Sequence, residues 1–416
     1  MGDRFDVIVI GAGLAGLRAA TDLLTQGVSV VVLEARDRVG GRVYSHRFTD
    51  GQTAERGAEF IDGNHTEVLA LASQLGLALT ERSAELDPQA TLVDAGGRAV
   101  PMYLHASLAH DQQRWDAALA GLQPTDEFEA GTLADLLGPL GLSVMSRLVI
   151  GREIRTEYML PPEAVGQRFA AEVLANQVPA LRERHRVAGG NDQLAAGLAA
   201  RLGPVVRLST VVRSLEAATS EVTLADGSTL RAGAIVAAVP LPVLSRLWAG
   251  LPPELGAIGY GVGGKISVQF SRRIWRDYSR NGTVLSDRSW GHLWETSDDQ
   301  GGDAGVLTNL LASYDGAGFV ALPEATDRVV AEIERLFPGA KGLAGERVLT
   351  DWTNEPYSLG AYSCFGPGQW GAAQHALHAP HGRMWLAGEH ADGFSGFMEG
   401  ALRSGARAAA SVLAGG

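Results

Sequence analysis

The sequence contains very little cysteine and no long apolar run. Its single cysteine, Cys364, has no partner for an intrachain disulfide, which is compatible with a reducing compartment. The longest apolar segment, residues 234–244, falls well short of the roughly 18 residues that a membrane-spanning helix requires. Residues 1–6 do not have the layout of a signal peptide. We therefore expect a soluble, cytoplasmic protein that does not bind membranes.

Lysine is also scarce, and acidic residues are in excess. Of the 35 lysine and arginine residues, only Lys265 and Lys341 are lysine. The 47 aspartate and glutamate residues give a net charge of −12. This balance argues against a nucleic-acid partner, because no basic stripe is available to displace counterions from phosphate. It weakly favours cationic ligands. A length of 416 residues with 46% hydrophobic residues predicts two globular domains on one chain.

The N-terminal region has the pattern of a β–α–β unit. Residues 6–10 form an apolar run that is typical of a buried strand, and residues 14–24 follow with helical spacing. Residues 28–33 form a second buried apolar run. Two such strands joined by a helix predict a parallel sheet with a right-handed crossover.

A glycine motif lies between this first strand and the helix. Gly11 permits a tight turn, Gly13 lets the backbone approach a pyrophosphate, and Gly16 lets the helix pack closely on the sheet. The phosphates are then expected at the free amides of the helix N-terminus. Glu34 ends the second strand, where a carboxylate accepts hydrogen bonds from a ribose. This pattern predicts a dinucleotide cofactor, but it does not separate NAD from FAD.

The next segment, Glu-Ala-Arg-Asp-Arg-Val-Gly-Gly-Arg at residues 34–42, is more specific. A glycine pair beside arginines supplies close backbone amides and fixed positive charge for a pyrophosphate. The segment resembles the second signature of the flavin amine oxidase family, which includes monoamine and polyamine oxidases. The resemblance implies that two arginines face the phosphates and that the glycine pair lies near the flavin. The cofactor-binding residues implied here are Glu34, Ala35, Arg36, Gly40, Gly41 and Arg42.

Two later segments extend the resemblance over nearly the whole chain. Residues 205–212 are similar to the middle segment of the family, in which the backbone at the position of Val212 contacts the adenine. Residues 386–401 are similar to its C-terminal FAD motif. A helix that begins there stabilises negative charge on a reduced flavin. The implied cofactor residues in this last motif are Gly388, Glu389, Phe397 and Met398.

The resemblance implies FAD as the cofactor, held noncovalently. Some family members attach FAD through a cysteine at the position of Ala361, and alanine cannot form that bond. The expected fold class is α/β, with a Rossmann-type FAD-binding domain built from discontinuous segments and an α+β substrate domain with a helical layer. The helical layer is expected within residues 108–183, where helical patterns are interrupted by prolines. The predicted FAD-binding domain comprises residues 1–63, 186–250 and 346–416, and the substrate-binding domain comprises residues 64–185 and 251–345.

The resemblance also implies a catalytic set. Lys265 opens a strand where the family carries a lysine near flavin N5, and an ammonium there assists proton handling and the reaction with oxygen. The simpler alternative is an edge-strand lysine in solvent. Tyr362 and Phe397 match two aromatic walls that cradle an amine, and Trp352 matches the family pattern near them. The alternative for these aromatics is ordinary core packing.

The segment Gly-Ala-Glu-Phe-Ile-Asp-Gly at residues 57–63 resembles one that lies along the flavin in polyamine oxidases. A carboxylate at Asp62 could pair with a substrate ammonium, although an Asp-Gly pair is nearly as typical of a turn. The resemblance implies that amino-acid oxidases of this superfamily place an arginine near Phe60 to hold a carboxylate, and its absence counts against an α-amino acid, although other arginines such as Arg152 or Arg155 could substitute. The residues implied by this segment are Gly57, Ala58 and Glu59 for the cofactor, and Phe60 and Asp62 for the substrate.

The function expected from these residues is FAD-dependent oxidation of a small-molecule amine. Hydride passes to flavin N5, the imine hydrolyses to an aldehyde or ketone, and dioxygen reoxidises the flavin to give hydrogen peroxide. No metal is expected, because the ten histidines show no ligand spacing. The alternatives are an L-amino-acid oxidase, a C–C desaturase or protoporphyrinogen-oxidase-like flavoenzyme, and a FAD-binding protein without turnover. The oligomeric state is open, with a homodimer as one expectation.

Overall fold

The computed structural model describes residues 5–81 and 87–415. Residues 1–4, part of the segment that does not resemble a signal peptide, lie outside the described residues. The strands in the described part of the chain are β1 (Phe5–Ile10), β2 (Val30–Leu33), β3 (Ser45–Arg47), β4 (Thr53–Glu55), β5 (Leu79–Glu81), β6 (Leu92–Ala95), β7 (Arg98–Pro101), β8 (His185–Val187), β9 (Val206–Arg207), β10 (Val212–Glu216), β11 (Glu221–Leu224), β12 (Thr229–Ala237), β13 (Gly259–Tyr260), β14 (Gly263–Phe270), β15 (Val284–Ser286), β16 (His292–Glu295), β17 (Gly305–Ala312), β18 (Ala344–Asp351), β19 (Ser363–Cys364) and β20 (Met384–Leu386).

The α-helices alternate with these strands in the N-terminal part and cluster between residues 108 and 176. Short 3₁₀ turns join several of them. The helices of the described residues are α1 (Leu14–Thr25), α2 (Thr66–Gln74), α3 (Leu108–Ala120), α4 (Leu133–Leu137), α5 (Val144–Tyr158), α6 (Gln167–Asn176), α7 (Asp192–Leu202), α8 (Leu241–Leu247), α9 (Pro253–Gly256), α10 (Ser313–Val320), α11 (Ala325–Leu336), α12 (Trp370–His378) and α13 (Met398–Gly415). Among the described helices, none combines the length and apolar character that a bilayer span requires.

The first sheet has the strand order β10-β11-β12-β1-β2-β9, and β20 pairs with β12. β1 runs parallel to β2 and to β12, as the β–α–β pattern predicted. Alternate residues of β1 and β2 belong to two different cores, one on each face of the sheet. Burial on both faces explains why these strands are continuous apolar runs rather than alternating ones. On one face lie Ile8, Ile10, Val31 and Leu33, and on the other lie Val7, Val9, Val30 and Val32.

The second sheet has the order β18-β14-β17-β16-β15-β6-β7. β14 lies between β17 and β18 and pairs antiparallel with both. All eight residues of β14 are buried. This central position matters for the site, because a polar side chain on β14 points into the protein rather than into solvent.

The two sheets correspond closely to the two predicted domains. The strands of the first sheet come from the segments assigned to FAD binding, and the second sheet is built mainly from the segments assigned to substrate binding. One strand, β18, crosses the boundary drawn between residues 345 and 346. The exact division into domains stays a prediction.

The helical layer consists of α3 to α6, and its interruptions fall at the prolines noted in the sequence. Pro139 lies in a 3₁₀ turn after α4, and Pro161 and Pro162 follow the end of α5. Thr132 caps α4 through the amide of Asp135, whose carboxylate accepts a bond from the Thr132 amide in return. The layer therefore forms as the sequence predicted, and it covers one side of the cavity described next.

Candidate active site

A cavity of about 1310 Å³ is lined by residues of both sheets and of helices α3, α5 and α6. Common small-molecule sites measure roughly 300–1,000 Å³. The larger volume leaves room for a dinucleotide together with a second small molecule. Every predicted site residue except Gly16 lines this cavity, and these are Gly11, Gly13, Glu34, Ala35, Arg36, Gly40, Gly41, Arg42, Gly57, Ala58, Glu59, Phe60, Asp62, Val212, Lys265, Trp352, Tyr362, Gly388, Glu389, Phe397 and Met398.

The glycine loop forms one wall of the cavity at the N-terminus of α1. Gly13 is the N-cap residue of this helix, and no side chain caps its free amides. A Cβ atom on Gly13 would meet no protein atom within 4 Å, so the space in front of it belongs to the cavity. A Cβ on Gly16, in contrast, would lie 2.0 Å from the carbonyl oxygen of Gly11. Gly16 therefore serves helix packing and Gly13 serves ligand approach, as the motif predicts.

The second glycine pair lies directly against this loop. The Gly40 amide donates to the Ala12 carbonyl oxygen over 2.8 Å. Both Gly40 (φ +97°) and Gly41 (φ +58°) have left-handed backbone conformations that favour glycine. Two motifs that are separated in sequence thus form one continuous backbone surface.

Glu34 is buried where β2 ends, and its carboxylate is held by backbone amides. Its Oε2 accepts from the Ala12 amide over 2.8 Å, and its Oε1 accepts from the Arg36 amide over 2.9 Å. The Arg36 guanidinium is ion-paired with Glu355 and donates to Ser358 Oγ over 3.0 Å. The charge of Arg36 is therefore already matched by a loop from the C-terminal part of the chain.

Arg42 joins the second motif to the C-terminal one. Its Nη1 lies 2.9 Å from Glu389 Oε1 and 2.8 Å from the carbonyl oxygen of Ala361. Glu389 Oε2 also accepts from Ser363 Oγ (2.7 Å) and from the Gly396 amide (2.8 Å). Burial acts to raise the pKa of Glu389, but the charge of Arg42 and these hydrogen bonds hold it below its usual value. The ion pair of Arg42 and Glu389 therefore forms a fixed polar part of the cavity lining.

A flavin dinucleotide fits these residues on chemical grounds. Two helix N-termini open on the cavity, α1 at Gly13 and α13 at Met398. Exposed backbone amides and helix dipoles bind a pyrophosphate, and a buried carboxylate at Glu34 binds a ribose hydroxyl. Phe397, Met398 and Ala401 line the wall where α13 begins. The arrangement suits a cofactor with phosphates at one end and a ring that accepts negative charge at the other.

Lys265 lies on β14, an inner strand of the second sheet, and lines the same cavity. Its side chain is 10% exposed, so it is not the solvent-facing edge lysine that the sequence left open. Its Nζ donates to Glu59 Oε2 over 2.8 Å and to the Gly57 carbonyl oxygen over 2.9 Å. It also lies 5.4 Å from the ring centre of Trp294, a residue without a local sequence signal.

Glu59 forms an ion pair and hydrogen bonds that its sequence motif did not indicate. Its carboxylate is directed at Lys265 and accepts from Arg186 Nη2 (2.9 Å), Trp294 Nε1 (3.0 Å) and Thr296 Oγ1 (2.7 Å). Burial acts to raise the pKa of Glu59, but the charges of Lys265 and Arg186 lower it to about 2. Glu59 is therefore an anion in a buried ion pair, even though its segment lines the cavity.

Tyr362 and Phe397, the two predicted aromatic walls, both line the cavity. The hydroxyl of Tyr362 donates to the carbonyl oxygens of Thr156 (3.2 Å) and Glu157 (2.8 Å), at the end of α5. A Cβ on Gly396 would lie 3.4 Å from the Tyr362 ring, so this ring packs beside the segment that carries Phe397. Burial raises the pKa of Tyr362 well above its usual value, and the phenol stays neutral.

Trp352 also lines the cavity and packs against the segment at residues 56–57. Its indole Nε1 donates to the Arg56 carbonyl oxygen over 2.8 Å. A Cβ on Gly57 would lie 3.1 Å from the Trp352 ring and 1.9 Å from the Arg42 carbonyl oxygen. Glycine at 57 is thus required for the close approach of the two segments.

Asp62 is buried in the cavity wall and has one backbone donor. Its Oδ1 accepts from the Glu183 amide over 2.7 Å, and its Oδ2 lies 3.7 Å from His65 Nε2. Burial lowers the pKa of His65 to about 4, so this imidazole is neutral at physiological pH. Burial also raises the pKa of Asp62, partly offset by the Glu183 amide. Phe60 lies beside it, with its ring centre 6.2 Å from that of Trp294.

The two arginines considered as carboxylate binders do not line the cavity. Arg152 donates to the carbonyl oxygens of Ser286 (2.9 Å) and Arg288 (3.0 Å). Arg155 donates to the carbonyl oxygen of Gly151 within its own helix. The structure therefore does not place either of them where a substrate carboxylate would bind.

The helical layer contributes cavity residues that sequence reasoning did not find. They include Asp116 from α3 and Glu153 and Glu157 from α5, and strand β16 adds His292. Burial raises the pKa of Glu153 to about 7. No motif marks these positions, because they come from three separate elements of the chain.

The geometry fits a dinucleotide-binding protein whose cavity has room for a second small molecule beside the cofactor. Comparison with known proteins agrees with a dinucleotide-binding enzyme. Residues 14–158 and 164–413 match the profile of the family described as flavin containing amine oxidoreductase. The chain belongs to this family.

Individual relatives match over their whole length. A putative flavin-containing monoamine oxidase of Mycobacterium tuberculosis is 29% identical, over 98% of this chain and 96% of that protein. An L-amino acid dehydrogenase of Synechocystis sp. is 25% identical, over 98% and 94%. The solved structure of cyclohexylamine oxidase from Brevibacterium oxydans superposes with a TM-score of 0.85 at 23% identity and covers 99% of both chains, which confirms the fold.

The chain is accordingly a flavoenzyme that oxidises amines with FAD. Cys364, its single cysteine, is fully buried and does not line the cavity. This placement agrees with FAD that is held noncovalently.

Proposed function

We propose that this protein oxidises a small amine which binds between Tyr362 and Phe397, next to Lys265. One observation carries the proposal: a single cavity is lined both by the glycine loops and by this lysine and these two rings. Cofactor and amine would then share one closed space. Exclusion of water protects the imine until it leaves the site.

The residues of the chain would act mainly by binding and orienting. When bound, FAD supplies the acceptor for the hydride from the carbon beside the amine nitrogen. Tyr362 and Phe397 would hold the amine through their ring faces, and the bonds of the Tyr362 hydroxyl to α5 keep its ring in place. The amine must be neutral to react. Asp62 would therefore attract the incoming ammonium without activating it.

Dioxygen is the electron acceptor that we propose, with hydrogen peroxide as its product. The ammonium of Lys265 supports this proposal, because a fixed positive charge beside the reduced cofactor favours transfer of electrons to oxygen. The relative named L-amino acid dehydrogenase makes the choice of acceptor worth testing directly. Rates with dioxygen and with an artificial electron acceptor, measured in parallel, separate the two.

The experiment that tests the function uses the purified protein loaded with FAD. Anaerobic mixing with primary, secondary and diamine substrates should bleach the flavin band near about 450 nm, and air should restore it with release of peroxide. L-amino acids and cyclic alkenes serve as the comparison panel. Bleaching by an amino acid alone, or by no compound, would contradict the proposed substrate class.

Two further predictions from the sequence belong to this proposal. The scarcity of cysteine supports a cytoplasmic location. A homodimer is the oligomeric state to test, and light scattering coupled to size-exclusion chromatography distinguishes it from a monomer. Binding of nucleic acid is not expected, because the chain has a net charge of −12.

A further inference from the structure

The ammonium of Lys265 has an acceptor for each of its three N–H bonds. Glu59 Oε2 lies at 2.8 Å, the Gly57 carbonyl oxygen at 2.9 Å, and the Glu55 carbonyl oxygen at 3.4 Å. The first two distances are those of good hydrogen bonds, and the third is at the weak end of the range. All three acceptors come from one short segment of the chain. Because only the contact with the Glu55 carbonyl oxygen is weak, at most one N–H of Lys265 is available for another partner.

Glu59 is itself held firmly. Its side chain is 2% exposed, and donors from Arg186, Trp294 and Thr296 occupy Oε1, while Lys265 occupies Oε2. A carboxylate with four donors has no freedom to turn away from the lysine. Charge-assisted hydrogen bonds of this kind are short and directional.

We propose that Glu59 is a positioning residue that holds the ammonium of Lys265 at one place in the cavity wall. Lys265 then acts as a fixed positive charge and hydrogen-bond donor, and not as a proton acceptor. The inference rests on the proposed function in one respect, namely that Lys265 contacts the bound flavin or its water. It goes beyond the family resemblance, which implied only that the segment around Glu59 lies along the cofactor.

The physical reason is the shortage of solvent around the lysine. A buried ammonium without a counter-ion readily loses its proton. Without Glu59, Lys265 and Arg186 would face each other with no anion between them. In a variant without the carboxylate, burial and the like charge of Arg186 would both oppose a charge on Nζ.

Other charged groups near the pair do not replace Glu59. Asp298 and Asp299 are bound to Nη1 of Arg186, whereas Glu59 is bound to Nη2. Glu55 is bound to Ser45 and Asn191, and burial raises its pKa to about 8. The groups that face the pair from the surrounding elements are Glu55, Arg186, His292, Asp298 and Asp299.

The test follows the midpoint potential of the bound FAD from about pH 6 to about pH 10, together with the rate of anaerobic flavin reduction by an amine. Glu59→Gln should introduce an inflection that is absent from the native protein, with the potential and the rate falling above it. Glu59→Asp keeps the charge and should largely restore the native profile. Thr296→Val removes one other donor to Glu59 and should not introduce the inflection.

A double-mutant cycle separates positioning from general structural support. In a Lys265→Met background, Glu59→Gln should change the rate by less than about 3-fold, although alone it lowers the rate about 10-fold or more at high pH. Additive losses in the cycle, or a native pH profile in Glu59→Gln that retains FAD, would overturn the inference. A native rate in Lys265→Met alone would instead overturn the proposed role of the lysine. FAD absorbance and the melting temperature of each variant show whether it is folded.

Discussion

The two ends of the cavity are built in different ways. The cofactor end is formed largely by backbone: glycine loops, the uncapped N-terminus of α1, the start of α13, and carboxylates held by amides. The amine end is formed by side chains from distant elements, with Lys265 on β14, Trp294 on β16 and Tyr362 after β18. The first end depends on glycines that either pack against backbone or leave room for the cofactor, whereas the second depends on charge and ring position. Substitutions at the two ends should therefore impair the protein in different ways.

The largest effect is expected at the glycines of the cofactor end. Gly16→Ala places a Cβ 2.0 Å from a backbone oxygen, so the protein itself must shift, at a cost of about 3 kcal/mol or more. Gly13→Ala meets no protein atom and should leave the melting temperature of the apoprotein nearly unchanged while weakening FAD binding about 10-fold or more. Calorimetric melting and FAD titration of both variants measure the contrast. Equal stability of the two apoproteins would contradict it.

A large effect on turnover is expected from Lys265→Met at the amine end. Loss of a fixed charge and donor at a reaction site lowers kcat/KM by about 100- to 1,000-fold. FAD absorbance should remain, because the cofactor-end contacts are untouched. Lys341→Met is the matched control, since Lys341 is the other lysine of the chain and is exposed. A loss of FAD in Lys265→Met would show that the two ends are not separable.

A moderate effect on stability is expected from Glu55→Gln, beside the ion pair. The pKa of Glu55 is raised to about 8, chiefly by burial, so the folded state favours the neutral acid. This contribution is fully present below the unfolded pKa and is lost as pH rises towards the folded value. Glutamine cannot ionise, so Glu55→Gln should gain on the order of 2 kcal/mol relative to the native protein between about pH 5 and about pH 8. Urea unfolding at both pH values measures it.

The control for this prediction is Glu163→Gln, at an exposed position. It should show no such change with pH. A Glu55→Gln variant whose relative stability is the same at both pH values would show that Glu55 is ionised in the folded protein.

The smallest effect is expected at the aromatic wall. Tyr362→Ala removes one face of the proposed amine slot and should lower kcat/KM about 10-fold, mostly through KM. Tyr362→Phe keeps the ring and loses only the two hydrogen bonds to α5, so its kcat/KM should fall about 3-fold or less. Steady-state kinetics with one amine gives both values. A greater loss in the phenylalanine variant than in the alanine variant would assign the role to the hydroxyl.

The same contrast explains what the sequence could and could not predict. Backbone-made sites need glycine at fixed spacing, so the loop at Gly11 and the pair at Gly40 were visible in the sequence and lie together in the structure. The two apolar runs at residues 6–10 and 28–33 likewise predicted the parallel pairing of β1 with β2, which the structure contains. The bond between Arg36 and Glu355 was not predictable, because it joins residues more than 300 positions apart.

The amine end, which is formed by side chains, was only partly predictable from the sequence. Lys265 was marked by its rarity and by the family resemblance, but its partners carried no signal. Glu59 was expected to serve the cofactor, and only the folded chain shows its bonds to Lys265 and Thr296. Trp294 and Glu153 reach the cavity through strand register and helix packing, which a single sequence does not specify.

The central claim is that one cavity holds the cofactor at its glycine end and the amine at its lysine end. A crystal structure of the FAD-loaded protein with a bound amine inhibitor tests this most directly. The account predicts the pyrophosphate at the N-terminus of α1 and the inhibitor between Tyr362 and Phe397, with the flavin ring next to Lys265. An inhibitor bound outside this cavity, or a flavin ring turned away from Lys265, would contradict it.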